Sequence, residues 1–503
     1  MKNASRTLPF LLVLLVLIVA QVDRKSYKKG HQTQNRLIAE RSFEFSREAG
    51  VLLATPCSSQ LLAKALRGGR RAQCAHLSLL ESQRSRRLVR LGLVRLPPRE
   101  DSNEFPLVVL AGGPGDSFIV GLPERLRYLL PMAKGRELIL LDARGVGTSV
   151  PSLDCPGSVM DGPAIARCFA GWDAEIDLDT YTTQTSVEDL RLILRVLKLQ
   201  SVFLLGVSSS TKIARQFTET YPDSVEALIL DSPIARRVPL LKLVESNEQA
   251  ALRTILQDCA QEDLCHHLLS DMRAPFKDIA LMLEQNTLQG MPRGADFLRD
   301  LASMMRAPSV LPLVPFLVSQ ALKGEFSLFN RLATGLSNHV FSLGAHLSVQ
   351  CAELEWQEEE NASLGVGRNA REEPFHQATA ARDYLNSCRI WKVKQRTEPQ
   401  GEIRRGVRVL VLSGRYDPVT PLRYGVLVAQ RIVGSSHMIF GGQSHGVAFS
   451  SLGAEAVVKF VEGGKKVIVK EGGEKKIRDW SFLIKKPSPN EIEEMIHELR
   501  YRL

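Results

Sequence analysis

None of the eight cysteines stands in a Cys-x-x-Cys pair, which removes the ligand spacing of zinc ribbons and the redox motif of thioredoxin-like proteins. No glycine-rich turn is followed by Gly-Lys-Ser or Gly-Lys-Thr, so the chain has no phosphate-cradling loop of that kind. Internal repeats and low-complexity tracts are also missing. The net charge is +10, but the basic residues are dispersed rather than gathered into an aromatic-studded stripe, and no module that reads bases is present. Nucleic acid is therefore not an expected partner, and neither a metal nor an organic cofactor is called for.

What is present is a globular composition: 503 residues, 44% hydrophobic and 24% charged, enough to bury a large core. At the N-terminus Lys2 and Arg6 precede a 13-residue apolar run, Leu8 to Ala20. That run is short for a membrane-spanning helix and suits the apolar region of a secretory signal, with Ala20 a small residue for cleavage. An uncleaved anchor is the alternative, so residues 1–22 are assigned as signal peptide or N-terminal anchor, and membrane attachment through them stays open. The cysteines fall as chain neighbours: Cys57 and Cys74, Cys155 and Cys168, Cys259 and Cys265, Cys351 and Cys388. An even count behind an export signal favours disulfides, sequential pairing being the simplest connectivity, and each bridge would stabilise by roughly 2–4 kcal/mol. A secreted, periplasmic or cell-envelope location follows.

From residue 105 onward, continuous apolar runs alternate with helical patterns. PLVVL (106–110), ELILL (137–141), SVFLL (201–205), ALIL (227–230), VRVLVL (407–412) and HMIF (437–440) read as buried strands. Between two of them, TSVEDLRLILRVLKL reads as a helix with Thr185 and Glu188 as its capping box. Strands alternating with helices predict an α/β fold, a mostly parallel sheet flanked by helices. Upstream, CAHLSLLES and RRLVRLGLVRLP read as a hairpin leading into the sheet. The alternation breaks between 236 and 400, where long helical patterns dominate. The predicted organisation is a first part of the core over 35–235, a helical cap over 236–400, a second part of the core over 401–465, and a basic C-terminal extension over 466–503. Ser488, Glu491 and Pro489 open a terminal helix there, expected to dock on the body.

The stretch GVSSST (206–211) follows the strand SVFLL and turns into a helix, the geometry of a nucleophile elbow. Strand and helix nearly touch in such a turn, so the residue two before the nucleophile must be small. Only Ser208 has glycine there, Gly206; Ser209 would have the β-branched Val207. Two places after Ser208 stands Ser210, where glycine is usual. VLSGRYDPVTP places Asp417 after one strand and FGGQSHGVAF places His445 after the next. Asp417 would orient His445, which would take the proton of Ser208, and the order Ser, Asp, His is that of α/β-hydrolases. The loop LAGGPGDSF, with Gly112 and Gly113, would complement the amide of Ser209 as an oxyanion hole.

Taken together, GGPG (112–115), DARGVGTS (142–149), YTTQTSVEDL (181–190), GVSSST, YPDSVEALILDSP (221–233), SGRYDPVTP (413–421) and GGQSHG (441–446) resemble the proline iminopeptidase and tripeptidyl aminopeptidase branch of the α/β-hydrolases. The resemblance covers roughly residues 50 to 465, and the paired cysteines look like those of the exported tripeptidyl aminopeptidase type. It implies an α/β-hydrolase fold with an inserted helical cap, and an exported serine peptidase acting on peptides with a free N-terminus. It also implies carboxylates in the cap that hold the substrate amine, for which Glu353 and Glu355 are the candidates. Three positions depart from the pattern: Ala111 replaces a histidine, Ser209 an aromatic residue and Ser210 a glycine. The leading expectation is an exo-acting aminopeptidase using Ser208, His445 and Asp417 through an acyl-enzyme. An esterase or lipase-like hydrolase with the same triad, and a catalytically impaired binding protein of the cell envelope, are the alternatives.

Overall fold

The computed structural model describes residues 50–82, 85, 87–100, 102–155, 162–172, 176–236, 238, 240–269, 294–336, 341–354, 386–399, 401–463, 482–483 and 485–501. The expected signal or anchor at 1–22, and residues 466–481 of the C-terminal extension, lie outside them.

Nine strands form one sheet: β1 (Val51–Thr55), β2 (Gln73–Leu80), β3 (Leu88–Leu96), β4 (Leu107–Leu110), β5 (Leu138–Leu141), β6 (Val202–Val207), β7 (Val225–Asp231), β8 (Arg408–Gly414) and β9 (Ser436–Phe440). Their order is β1-β2-β3-β5-β4-β6-β7-β8-β9, antiparallel from β1 to the β3–β5 pair and parallel from β5 to β9. Each of the six apolar runs read as strands is a strand. β4 and β5 are buried at every residue, as a central sheet covered on both faces requires. The hairpin is β2–β3, and β1 is an edge strand that the sequence pattern did not single out.

Helices α1 (Ser59–Arg67), α2 (Leu122–Met132), α3 (Gly162–Ala170), α4 (Thr183–Val196) and α5 (Ser210–Thr220) lie before β7 in the chain. α6 (Leu240–Ala260), α7 (Asp263–Leu269), α8 (Gly294–Met304), α9 (Val314–Leu322), α10 (Ser327–Ala333) and α11 (Leu343–Ala352) fall between β7 and β8. α12 (Leu422–Arg431), α13 (Ser451–Val461) and α14 (Pro489–Tyr501) complete the chain. Alternate residues along a strand point to opposite faces, and two cores result. Val109, Leu140, Leu205 and Ile229 pack with α1, α2 and α13 on one face. Val108, Ile139, Leu204 and Leu228 pack with α4, α5 and α12 on the other.

One local expectation is corrected, and the terminal helix is found docked as expected. α4 begins earlier than read: its N-cap is Thr182, whose hydroxyl accepts the Thr185 amide at 3.2 Å. In a run of threonines the earlier one captures the first free amide, and Glu188 accepts the Tyr221 hydroxyl instead of closing a capping box. At the terminal helix, Ser488 and Glu491 do cap α14 reciprocally. Its apolar stripe of Ile492, Met495, Ile496 and Leu499, however, packs into the core of the helices between β7 and β8, beside Leu332 and Phe329. That inserted core offers an apolar groove, whereas the faces of the sheet are already covered.

The four disulfides join Cys57 to Cys74, Cys155 to Cys168, Cys259 to Cys265 and Cys351 to Cys388.

Candidate active site

Ser208 directly follows β6 and lies in the left-handed region, with φ 55°, a conformation that costs a non-glycine residue on the order of 1–3 kcal/mol. The surroundings hold it there. Its amide donates to the carbonyl of Asp231 at 2.9 Å, and its own carbonyl accepts the Thr211 amide at 3.0 Å and the Thr211 hydroxyl at 2.5 Å. Gly206 has no room for a side chain: a Cβ there would lie 2.8 Å from Ser210 O and 2.9 Å from Ala214 Cβ. The small residue two positions before Ser208 is thus required where β6 and α5 converge.

Ser210, the residue in place of glycine, is fully buried and hydrogen-bonded. Its hydroxyl accepts the Val207 amide at 2.8 Å and points its proton at the carbonyls of Leu110 (2.8 Å) and Val207 (3.0 Å). It joins β4, β6 and the first turn of α5.

Asp417 and His445, on the loops after β8 and β9, are brought together. His445 Nδ1–H donates to Asp417 Oδ2 at 2.8 Å, both residues are buried, and the Nε2 of the imidazole is left as its basic nitrogen. Asp417 Oδ1 accepts the amides of Val419 and Thr420, each at 2.8 Å, and Oδ2 accepts the Thr420 hydroxyl at 2.8 Å. Burial alone would push the Asp417 carboxyl up, but the His445 imidazole and the Thr420 donors hold it below its ordinary value. The loop is tied to the inserted helices by Asp258 of α6, which accepts Arg415 in a two-pronged pair at 2.9 and 3.0 Å and the Tyr416 hydroxyl at 2.6 Å.

Three further residues, Asp231, Ser232 and Thr420, support the constellation; they lie within YPDSVEALILDSP and SGRYDPVTP, which gave them no role. The Asp231 carboxylate, at the end of β7, accepts the amides of Val447 (2.9 Å) and Ala448 (2.8 Å), the residues just past His445. Ser232 Oγ accepts the Gly446 amide at 2.9 Å, while its carbonyl accepts Thr420 Oγ1 at 3.0 Å. One dipeptide therefore braces the Ser208 turn, the Asp417 loop and the His445 loop together. Burial raises the Asp231 carboxyl to about 6, against the lowering pull of the Ala448 amide, His445, Ser232 and the Val447 amide. In the sequence this aspartate ends the apolar run inside YPDSVEALILDSP, with nothing local to mark its partners.

The glycine loop lies over Ser208. A Cβ on Gly112 would meet Ser208 Cβ at 2.9 Å and Val207 O at 3.0 Å; Gly113 has φ 102°, and a Cβ there would meet the amides of Gly115 and Asp116. The carbonyl of Pro114 accepts His346 Nδ1–H from α11 at 2.9 Å, fastening the loop to the inserted helices.

Glu353 follows α11 and is buried; its carboxylate accepts Thr183 Oγ1 and pairs with Lys212 Nζ of α5. With Ser209 and Lys212 it lines a small cleft beside the Ser208 turn. It is thus not the solitary carboxylate that a substrate amine would find unopposed. Glu355 lies outside the described residues.

Residues 106–312 match the family described as alpha/beta hydrolase fold, and residues 373–468 match the family described as TAP-like protein. The chain belongs to the α/β-hydrolases. The second matched segment is TAP-like, and the homologues are named as serine peptidases and aminopeptidases. Among its relatives is a tripeptidyl aminopeptidase of Streptomyces lividans, 26% identical over 377 residues, covering 65% of this chain and 68% of the relative. The serine protease Hip1 of Mycobacterium tuberculosis is 24% identical over 474 residues, covering 82% and 88%. A proline iminopeptidase of Heyndrickxia coagulans is 30% identical over 134 residues, 27% of this chain and 37% of the relative.

Proposed function

We propose that this chain is an exported exo-acting aminopeptidase in which Ser208 is the nucleophile, His445 the general base and acid, and Asp417 the residue that fixes the imidazole tautomer. The observation that carries the reading is that the strained turn at Ser208, after β6, and the buried Asp417–His445 pair, after β8 and β9, are bonded to one dipeptide, Asp231–Ser232, at the end of β7 between them. Ser208 Oγ attacks the scissile carbonyl and passes its proton to His445 Nε2. The amides at Gly112 or Gly113 and at Ser209 receive the oxyanion. Collapse expels the amine leaving group, which takes the proton back, and water repeats the sequence on the acyl-enzyme. No metal or organic cofactor enters this scheme.

The similarity to a tripeptidyl aminopeptidase and a proline iminopeptidase supports peptides with a free N-terminus as substrates. Glu353 is the candidate to hold the amine: an ionised carboxylate has about four acceptor sites, and Thr183 and Lys212 occupy two of them. Export is supported by four disulfides together with the signal-like N-terminus, which would direct the chain to the secreted, periplasmic or envelope space.

The test is labelling with a fluorophosphonate probe, followed by hydrolysis of matched peptides with free and blocked N-termini. Labelling of Ser208, lost in Ser208→Ala, with turnover only of free-amine peptides supports the proposal. Labelling of Ser209 or Ser210 overturns the nucleophile assignment, and equal turnover of blocked peptides or simple acyl esters overturns the exopeptidase assignment.

A further inference from the structure

A cavity of about 80 Å³ opens beside the nucleophile turn, between β4, β5, α4, α5 and α11. Gly112 and Ser209 form part of its wall, and so do Ala111 and the apolar side chains of Leu190, Ile213 and Val349. The space exists because two residues flanking the nucleophile turn are small: a large side chain at Ala111 or Ser209 would occupy it. In this fold the amides around an oxyanion hole grip the carbonyl oxygen of the acyl group, so the substituent on that carbonyl projects beside them. A cavity sharing Gly112 and Ser209 with that position is within its reach.

We propose that this cavity is the subsite for the side chain of the residue whose carbonyl Ser208 attacks, and that it selects branched aliphatic side chains of three or four carbons. The proposal rests on Ser208 being the nucleophile. Size argues for this class, since the cavity is about half of the ~150 Å³ apolar cavity that holds a benzene ring. An aromatic side chain overfills it, whereas glycine leaves it empty and forgoes the burial.

Charge argues the same way. Arg144 at its wall is paired with Asp189 at 2.7 and 2.8 Å and gives its remaining donors to the carbonyls of Glu81 and Leu80. Asp142 accepts the hydroxyls of Ser117 and Thr148 and the Thr148 amide. Asp116 stands near His346 on the glycine-loop side. An anionic side chain would meet three carboxylates, and a cationic one would give up its water for Asp142 and Asp189, which already have partners.

The experiment is a kcat/KM profile on peptides with free N-termini that differ only in the residue supplying the scissile carbonyl: glycine, alanine, valine, leucine, phenylalanine, aspartate and lysine. The expected result is a preference for valine or leucine over glycine, phenylalanine and either charged residue by at least about tenfold, within the range that a few buried methylenes provide. Ile213→Phe and Val349→Phe, which fill the cavity from α5 and from α11, should each cut the leucine rate at least about tenfold while sparing glycine and fluorophosphonate labelling. A flat profile, or one led by lysine, aspartate or phenylalanine, in an enzyme that labels normally overturns the subsite and leaves the nucleophile standing. Absence of labelling at Ser208 in the unmodified protein overturns the nucleophile and the subsite with it.

Discussion

The hydroxyl of Ser210 accepts the backbone N–H of Val207 at 2.8 Å, within hydrogen-bond reach of two carbonyls on the strands that flank the nucleophile turn. From the sequence this serine looked like a missing glycine. In the fold it is a buried hydroxyl that bonds the backbone on both sides of the turn. Ser210→Gly and Ser210→Ala should therefore each destabilise the protein by about 0.5–1.5 kcal/mol and lower turnover. Urea unfolding midpoints and kcat decide this, and a rise in turnover on Ser210→Gly would show the residue to be a lesion after all.

The brace at Asp231 makes a separate prediction. Asn keeps one acceptor but turns a donor toward either the Val447 or the Ala448 amide, so the loop carrying His445 should shift. Asp231→Asn is expected to reduce kcat by about 10–100-fold with little change in KM, the kinetic equivalent of roughly 1–3 kcal/mol. A change in thermal midpoint with kcat intact would assign Asp231 to stability alone.

Gly112 offers a steric test. Its backbone conformation allows alanine, but the added methyl would stand 2.9 Å from Ser208 Cβ. Gly112→Ala should abolish most fluorophosphonate labelling while circular dichroism and the unfolding midpoint stay close to those of the parent. Labelling at the parental rate would mean that the loop lies farther from the nucleophile than described.

Acid should loosen the glycine loop through His346. Burial, against the raising pull of the Pro114 carbonyl and Asp116, lowers this imidazole to about 4. An unfolded histidine titrates near ~6.5, so between these values the unfolded chain holds a proton that the folded one does not. Stability should fall as pH drops from about 6.5 toward about 4, by on the order of 3 kcal/mol. His346→Asn, whose amide can replace the Nδ1–H donor, should flatten that slope. Unfolding midpoints measured across this range would show it, and an unchanged slope in the variant would place the acid sensitivity elsewhere.

The parallel strands were legible because burial on both faces demands uninterrupted apolar runs, as in LVVL of β4 and LILL of β5. β1 escaped notice because its half-exposed, five-residue pattern is that of many loops. At the site, Gly206 pointed to Ser208 through a steric rule that needs only neighbouring residues. The roles of Asp231, Ser232 and Thr420 depend on partners far along the chain, and no local pattern carries them. The same holds for Lys212, which neutralises the carboxylate of Glu353 from across the interface between α5 and the inserted segment.

The placement of the inserted helices also orders events in biosynthesis. β7 pairs with β8 from Ala227 against Arg408 to Asp231 against Leu412, so roughly 180 residues are made between the two partners. Closing so long a loop adds little entropy cost, because that cost grows only with the logarithm of length. Until β8 leaves the ribosome or the translocation pore, however, β7 presents an unpaired edge, and Ser208 has neither Asp417 nor His445 beside it. With Ser208 as the proposed nucleophile, a nascent or truncated chain ending in the insertion would carry it in an inert form, and hydrolytic capacity would arrive only with the last two strands.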